Sequence, residues 1–251
     1  MSKAFKVSCL LAYAGAGLAV VLCLAPIPQD PAYHAFADRR TLFGIPHFWN
    51  VVSNLPFLLA GAFGIAGLRR ARFREAWERG AWAVLLGAVL GVSFGSGYYH
   101  AAPSSAALFW DRVPMTLMFS AFLAITLGER VDPAWGRRLL APLLAAGLGT
   151  LLYWRRADDL RFYGYLQGLA MTALPLMLLL FPPRYTRARD LWALIGLYAA
   201  AKICEALDAP IYRLTAEAMS GHALKHWIAG AAAGFLPLHL ARREPLTKQT
   251  G

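Results

Sequence analysis

Charge is what this chain has least of: 16% of its residues are Asp, Glu, Lys or Arg, against 58% that are hydrophobic. A soluble domain could not cover so much apolar surface with polar side chains, which excludes an ordinary water-borne globule. Acidic residues are scarcer still, 14 against 25 basic ones, for a net charge of +11. The excess raises the question of nucleic acid, but the basic residues are not gathered on one stripe or tail, so no nucleic-acid partner is expected. Cysteine is limited to Cys9, Cys23 and Cys204, all in hydrophobic runs where a small thiol packs among helices, and no disulfide framework follows. Internal repeats are missing as well, which removes the symmetry many transporters carry.

What the chain does have is a succession of charge-poor runs, near 5–26, 48–68, 81–100, 112–128, 139–154, 162–182, 190–207 and 222–241. At a rise of about 1.5 Å per residue, runs of this length cross the hydrocarbon of a bilayer as helices. The expected fold class is all-α: a polytopic transmembrane helix bundle forming a single membrane domain over 1–251. Its seven-helix core spans 48–241 and one extra N-terminal helix spans 5–26. The first run also has features of a signal peptide, with Lys3 and Lys6 ahead of an apolar stretch. It is long for that role and lacks a clear small-x-small exit before Pro26, so a retained helix is expected; cleavage after about residue 25 would leave the downstream orientation unchanged.

The basic residues alternate from loop to loop. Lys3 and Lys6, Arg69, Arg70, Arg72, Arg74 and Arg79, Arg130, Arg137 and Arg138, Arg184, Arg187 and Arg189, and Arg242, Arg243 and Lys248 fall on one side. The other side holds Arg39, Arg40, Arg112, Arg155, Arg156, Arg161 and Arg213. By the positive-inside rule this predicts a multi-pass protein of the cell membrane with both termini cytoplasmic.

An ionised side chain at the centre of a membrane helix costs roughly 2.5–3.5 kcal/mol, so each polar residue in these runs needs a partner or a task. In the third run Ser96 and His100 lie at i and i+4, on one helical face. Gly87, Gly91 and Gly95 form a neighbouring ridge of small residues, read as a packing surface. His222 and His226 open the last run at i and i+4, a spacing that lets both imidazoles reach one metal ion. A pair of interfacial histidines bonded to loop carbonyls would look the same. Threading the spans puts His100, His222 and His226 at similar depth on the outer, periplasmic or luminal side, and three neutral nitrogens plus one water make an open catalytic zinc site. Asp111, just before Val113 and Pro114, reads either as a helix cap or as a carboxylate that deprotonates the metal's water.

Ser96-x-x-x-His100, Asp111 after a short loop and His222-x-x-x-His226 together resemble the alkaline ceramidase family, part of a superfamily of seven-span hydrolases that includes the adiponectin-type receptors. The stretch from Phe48 through Trp49 and Asn50 to Ser53 and Asn54 is similar to the family's first core span, and Tyr153, Trp154, Asp159, Leu160 and Arg161 are similar to its bacterial members. The likeness covers roughly residues 30 to 240 and rests on the order and common depth of the motifs. It implies His100, His222 and His226 as zinc ligands, Asp111 as general base and Ser96 as oxyanion donor. The implied activity is zinc-dependent hydrolysis of the amide bond of ceramide or a related N-acyl lipid, giving a fatty acid and a long-chain base. Animal members also carry an acidic N-terminal cluster that binds calcium. Here His47 stands at one of its positions, and Asp30 and Asp38 do not reproduce it, so no calcium requirement is expected.

Other polar residues read as structural. Lys202, Glu205 and Asp208 are expected to pair with one another in the seventh run, and Lys225 to snorkel or meet an acid. Asn50, Ser53 and Asn54 should hydrogen-bond across helices. Arg39, Arg40, Asp158, Asp159 and Arg161 could knit two outer loops into a lid, and Tyr98, Tyr99, Trp49, Trp110 and Trp154 fit an aromatic belt. The expected partners are the bilayer and a membrane lipid substrate, with no obligate protein partner. Two other readings remain: a receptor-like or regulatory protein with a structural zinc, and an ion pathway through Lys202, Glu205 and Asp208.

Overall fold

The computed structural model describes residues 1–246, and among them the chain is an all-α bundle without a β-strand. Its α-helices are α1 (Lys3–Cys23), α2 (Phe48–Val52), α3 (Leu55–Gly67), α4 (Ala76–Ala101), α5 (Ser105–Thr126), α6 (Pro133–Ala157), α7 (Arg161–Leu180), α8 (Ala188–Ala206), α9 (Asp208–Leu214) and α10 (Gly221–Arg242). A 3₁₀ turn occupies Pro31–His34, and a π-helical turn at Leu127–Val131 extends α5. Lys248, one of the basic residues used for topology, lies outside the described residues.

Side-chain caps fix several helix starts. Ser2, Ser104, Asp132 and Ser220 accept backbone N–H groups of α1, α5, α6 and α10, satisfying donors that a helix end leaves orphaned. Ser104 starts α5 well upstream of the run expected from residue 112, because small and aromatic residues between Ser105 and Trp110 continue the helix. The expected span 48–68 is two helices instead of one. Pro56 has no N–H to offer the Val52 carbonyl, and the chain tightens at Ser53 and Asn54 before resuming as α3.

Helix α4 lies between α3 and α5, and α10 packs against α8 and α3. Trp82, Leu85, Leu86 and Val89 of α4, Ile125 of α5 and Leu236 and Leu240 of α10 form the sealed centre of the largest core cluster. Helix α1 has no buried residue and lies along α7, where Tyr13 Oη and Thr172 Oγ1 are 2.6 Å apart and the Tyr165 hydroxyl donates to the Ala14 carbonyl at 2.8 Å. Cys9 and Cys23 face outward from α1 and do not pack among helices.

Five stretches are long and apolar enough to cross a membrane: Lys3–Cys23, Phe48–Gly67, Ala76–Ala101, Ser105–Val131 and Arg161–Leu180. Helices α6, α8 and α10 are of similar length, with 25, 19 and 22 residues. They carry more polar residues, including Lys202 and Glu205 in α8 and His222, Lys225, His226 and His239 in α10. In α10 His222, His226 and His239 are turned inward, and Lys225 meets Glu205 of α8, whereas Lys202 and the α6 arginines Arg137, Arg138, Arg155 and Arg156 are exposed.

One inward cluster closes the end of the bundle where α4 starts and α5 and α10 stop. Arg243 was counted among loop charges, yet it is buried, with Nη1 2.5 Å from Glu129 Oε1 and its guanidinium carbon 3.9 Å from the Tyr185 ring centre. Trp82 Nε1 donates to the same Glu129 oxygen at 3.2 Å, and the Tyr185 hydroxyl bonds Glu78. A buried ion pair needs such additional hydrogen bonds to offset its lost hydration.

Candidate metal centre and its chamber

At the opposite end, the last turn of α4 and the first two turns of α10 bring three imidazoles together. His100, His222 and His226 are buried, and one ligand atom from each lies within 4.8 Å of the others. His100 Nε2 and His222 Nε2 are 3.3 Å apart. Between two neutral rings one of these nitrogens would have to donate; with both lone pairs facing inward, a cation is the natural occupant. The separation also matches the edge of a tetrahedron with metal–nitrogen bonds near 2.0–2.1 Å, about 3.3 Å. The residues therefore fit a metal ion, and among the described residues the group contains no fourth protein ligand.

Several contacts pin these rings. Ser53 Oγ lies 2.9 Å from His226 Nδ1 and 3.3 Å from the Asn50 carbonyl. With the hydroxyl donating to that carbonyl, the serine oxygen accepts Nδ1–H, and the Nε2 lone pair of His226 faces the group. Ser53 was expected to bond across helices, and it does so to a metal-site residue; the Asn54 amide bonds back to the Asn50 carbonyl in its own segment. The start of α10 is held by Asp208, whose Oδ1 accepts the His222 backbone N–H at 2.8 Å. Its Oδ2 accepts from Ala37 N–H at 3.0 Å, so one carboxylate joins α9, α10 and the loop after α1. Asp208 therefore stands apart from the ion pairs of Lys202 and Glu205. Glu205 holds both lysines, Lys202 on its own helix and Lys225 at 2.7 Å.

Phe36 is the residue sequence reasoning missed. Its ring centre stands 4.7 Å from that of His100 and 4.6 Å from that of His222, both edge-on, and it is buried over them. Nothing in a single aromatic within a polar loop signals this role; it comes from the Ala37–Asp208 bond, which draws the loop across the site.

Asp111 does not cap a helix. It lies in the second turn of α5, buried, with Oδ1 lacking any hydrogen-bond partner. Ser96 is buried beside it on α4. The glycine ridge creates this closeness: a Cβ on Gly95 would come within 2.5 Å of the Trp110 carbonyl oxygen and 3.2 Å of Asp111 Cα. A ridge read as packing alone thus sets the distance between Ser96 and Asp111. At the start of α10, a Cβ on Gly221 would meet the Cys204 carbonyl oxygen at 2.3 Å, so glycine there lets His222 approach the α8–α9 junction.

Ser96, Asp111 and His226 share the wall of a chamber of about 440 Å³, with His100 and His222 set behind it under Phe36. Most of the wall is apolar, including Phe57, Met115, Phe122, Met171, Leu174 and Leu236; the polar side chains are Ser96, Asp111, Arg112, Gln167, Lys202, Glu205 and Lys225 with their neighbours. Arg112 was placed in an outer loop, and the structure puts it inside α5, buried against Tyr33, Trp154 and Tyr163. Tyr99 and Trp154 are buried as well, so of the expected aromatic belt Tyr98 and Trp110 are the strongly exposed members.

The two loops expected to knit a lid do not pair with each other. Arg40 pairs with Asp38 and reaches the Ala218 carbonyl, while Arg161 pairs with Asp159. Burial favours the neutral form of Asp38, but hydrogen bonds from Arg40 outweigh it and hold the carboxyl below its usual range. The Arg161 fork holds Asp159 far below that range too, and Asp159 and Asp158 accept backbone N–H groups of Ile27 and Gln29. Asp30 caps the 3₁₀ turn through Ala32 N–H.

Comparison with protein-family models and with curated proteins finds no match to this chain.

Proposed function

We propose that this protein is a zinc-dependent integral membrane amidohydrolase that cleaves the amide bond of ceramide or a related N-acyl lipid. The observation that carries the reading is the convergence of His100, His222 and His226 beside Asp111 and Ser96 at one end of an apolar chamber. Three imidazoles with no fourth protein ligand among the described residues suit a catalytic zinc better than a closed structural one. When bound, zinc would polarise the amide carbonyl and lower the pKa of a water toward neutrality.

The remaining steps belong to side chains. Asp111, with a free buried oxygen, takes the proton as the water oxygen bonds to the carbonyl carbon, then delivers it to the amide nitrogen as the carbon–nitrogen bond breaks. The Ser96 hydroxyl donates to the carbonyl oxygen as negative charge builds there. Ser53 and Phe36 hold the imidazoles in register and keep bulk water from them. The products are a fatty acid and a long-chain amine.

The chamber's apolar wall accommodates an acyl chain. Helices α7 and α8 both line it and touch each other sparsely, leaving a seam through which a lipid reaches the site from the bilayer. In this reading the protein is multi-pass in the cell membrane, with both termini cytoplasmic and the zinc site toward the outer side. A receptor-like role with structural zinc would leave the Asp111 carboxyl without a task. The test is metal analysis joined to release of free fatty acid from a panel of lipid amides: about one zinc per chain and zinc-dependent release support the reading, and undiminished release from metal-free protein overturns it.

A further inference from the structure

The chamber wall holds one cation that is left without an oxygen partner. Lys202 and Lys225 both bond Glu205. Arg112 is 5% exposed and lines the chamber, and among the described residues it makes no ion pair or hydrogen bond; its Nη1 is wholly buried and unpartnered. The rings of Trp154, Tyr163 and Tyr33 stand 4.3, 4.9 and 5.6 Å from its guanidinium carbon. Cation–π attraction eases the burial of the charge, but ring faces leave the in-plane N–H donors unfilled. Asp111, its neighbour in sequence, forms no ion pair with it, because successive side chains on a helix diverge by roughly 100°.

The charges around the wall narrow the ligand. In the metal-free protein, Arg112, Lys202 and Lys225 face two carboxylates, Asp111 and Glu205, which leaves one positive charge to be matched. A monoanion matches it; a phosphate dianion would leave excess negative charge in a low-dielectric site. A guanidinium fork is also shaped for the two oxygens of a carboxylate.

We propose that Arg112 is a carboxylate-recognition residue, holding the anionic head of a lipid whose chain lies along the apolar wall of the chamber. This rests on the hydrolase reading only in taking the chamber as the lipid's place. Two lipids carry such a head: the free fatty acid left after cleavage, and an N-acyl amino acid with a headgroup carboxylate.

The experiment uses purified full-length protein in detergent, stripped of metal by a chelator, and titrates two matched pairs by displacement of a fluorescent fatty acid. Oleate is compared with oleyl alcohol, and N-oleoylglycine with oleoylethanolamide. In at least one pair the acid is expected to bind tenfold or more tightly than its neutral counterpart. Arg112→Gln should bring that ratio near one, and Arg112→Lys should keep part of it. Discrimination in the first pair identifies the product carboxylate as the ligand, and discrimination in the second pair alone identifies a headgroup. Equal binding of acid and neutral lipid in both pairs overturns the proposal, as does unchanged discrimination in Arg112→Gln. Should Arg112→Gln fail to give a monodisperse, cooperatively melting protein, Arg112→Lys decides by the same ratio. Hydrolysis by metal-loaded protein is scored separately: discrimination without turnover sinks the hydrolase reading alone, and turnover without discrimination sinks the carboxylate site alone.

Discussion

Ser53 Oγ sits 2.9 Å from His226 Nδ1, tying the break between α2 and α3 to the second imidazole of the α10 pair. Removing the partner of a ligand's outer nitrogen loosens ring orientation and tautomer without removing the ligand. Ser53→Ala should weaken metal binding about 10- to 100-fold while the protein stays folded, as read by competition with a metal-sensitive dye. Affinity equal to that of the unaltered protein would show that the bond does not orient His226.

Metal binding and turnover should separate between two other variants. His222→Ala is expected to lose metal and hydrolysis together, because a three-nitrogen group is reduced to two. Asp111→Asn should keep its metal and lose turnover by about 10²- to 10⁴-fold, the range for a lost general base. Metal content by plasma emission and fatty-acid release on the same preparations check both.

Gly95 and Gly87 lie on the same ridge and should respond oppositely to alanine. At Gly95 a Cβ collides with α5 backbone beside Asp111, and a cost of about 1–3 kcal/mol is expected. Gly87 has nothing within 4 Å of such a Cβ, so Gly87→Ala should be neutral or gain up to about 1 kcal/mol from helix propensity. Thermal melts in detergent compare them.

Asp159 gives the pH dependence a defined sign. The Arg161 fork holds its folded-state pKa below the unfolded value of about 4, so the native state favours the carboxylate. The stability it contributes is present above that unfolded value and is lost as pH falls through the depressed folded value. Asp159→Asn should therefore lower the melting temperature at neutral pH and flatten its fall from pH 5 downward. A parallel fall in both proteins would remove Asp159 from the account.

At the far end of the bundle, Arg243→Met would strand the Glu129 carboxylate among aromatic rings. Breaking a buried pair by removing one partner costs about 3–5 kcal/mol. Adding Glu129→Gln should recover much of it, since no bare charge then remains, and melts of the single and double variants measure the coupling.

Scarce charge and recurring apolar runs were enough to make this an all-α membrane bundle, because hydrocarbon admits backbone only when its hydrogen bonds close within the segment. Helical periodicity placed Ser96 with His100 and His222 with His226, since residues four apart share a face whatever surrounds them. It could not say that the two pairs meet. That came from the packing of α4 with α5 through Gly95, from Gly221 against α8, and from Asp208 drawing Phe36 over the rings. Nor could sequence tell a loop charge from a buried one: Arg112 and Arg243 look alike among the chain's arginines until aromatic rings from distant helices enclose them. Local periodicity is carried by neighbouring residues, whereas burial and the partner of a charge are set by segments far away in the chain, and only the folded bundle brings those together.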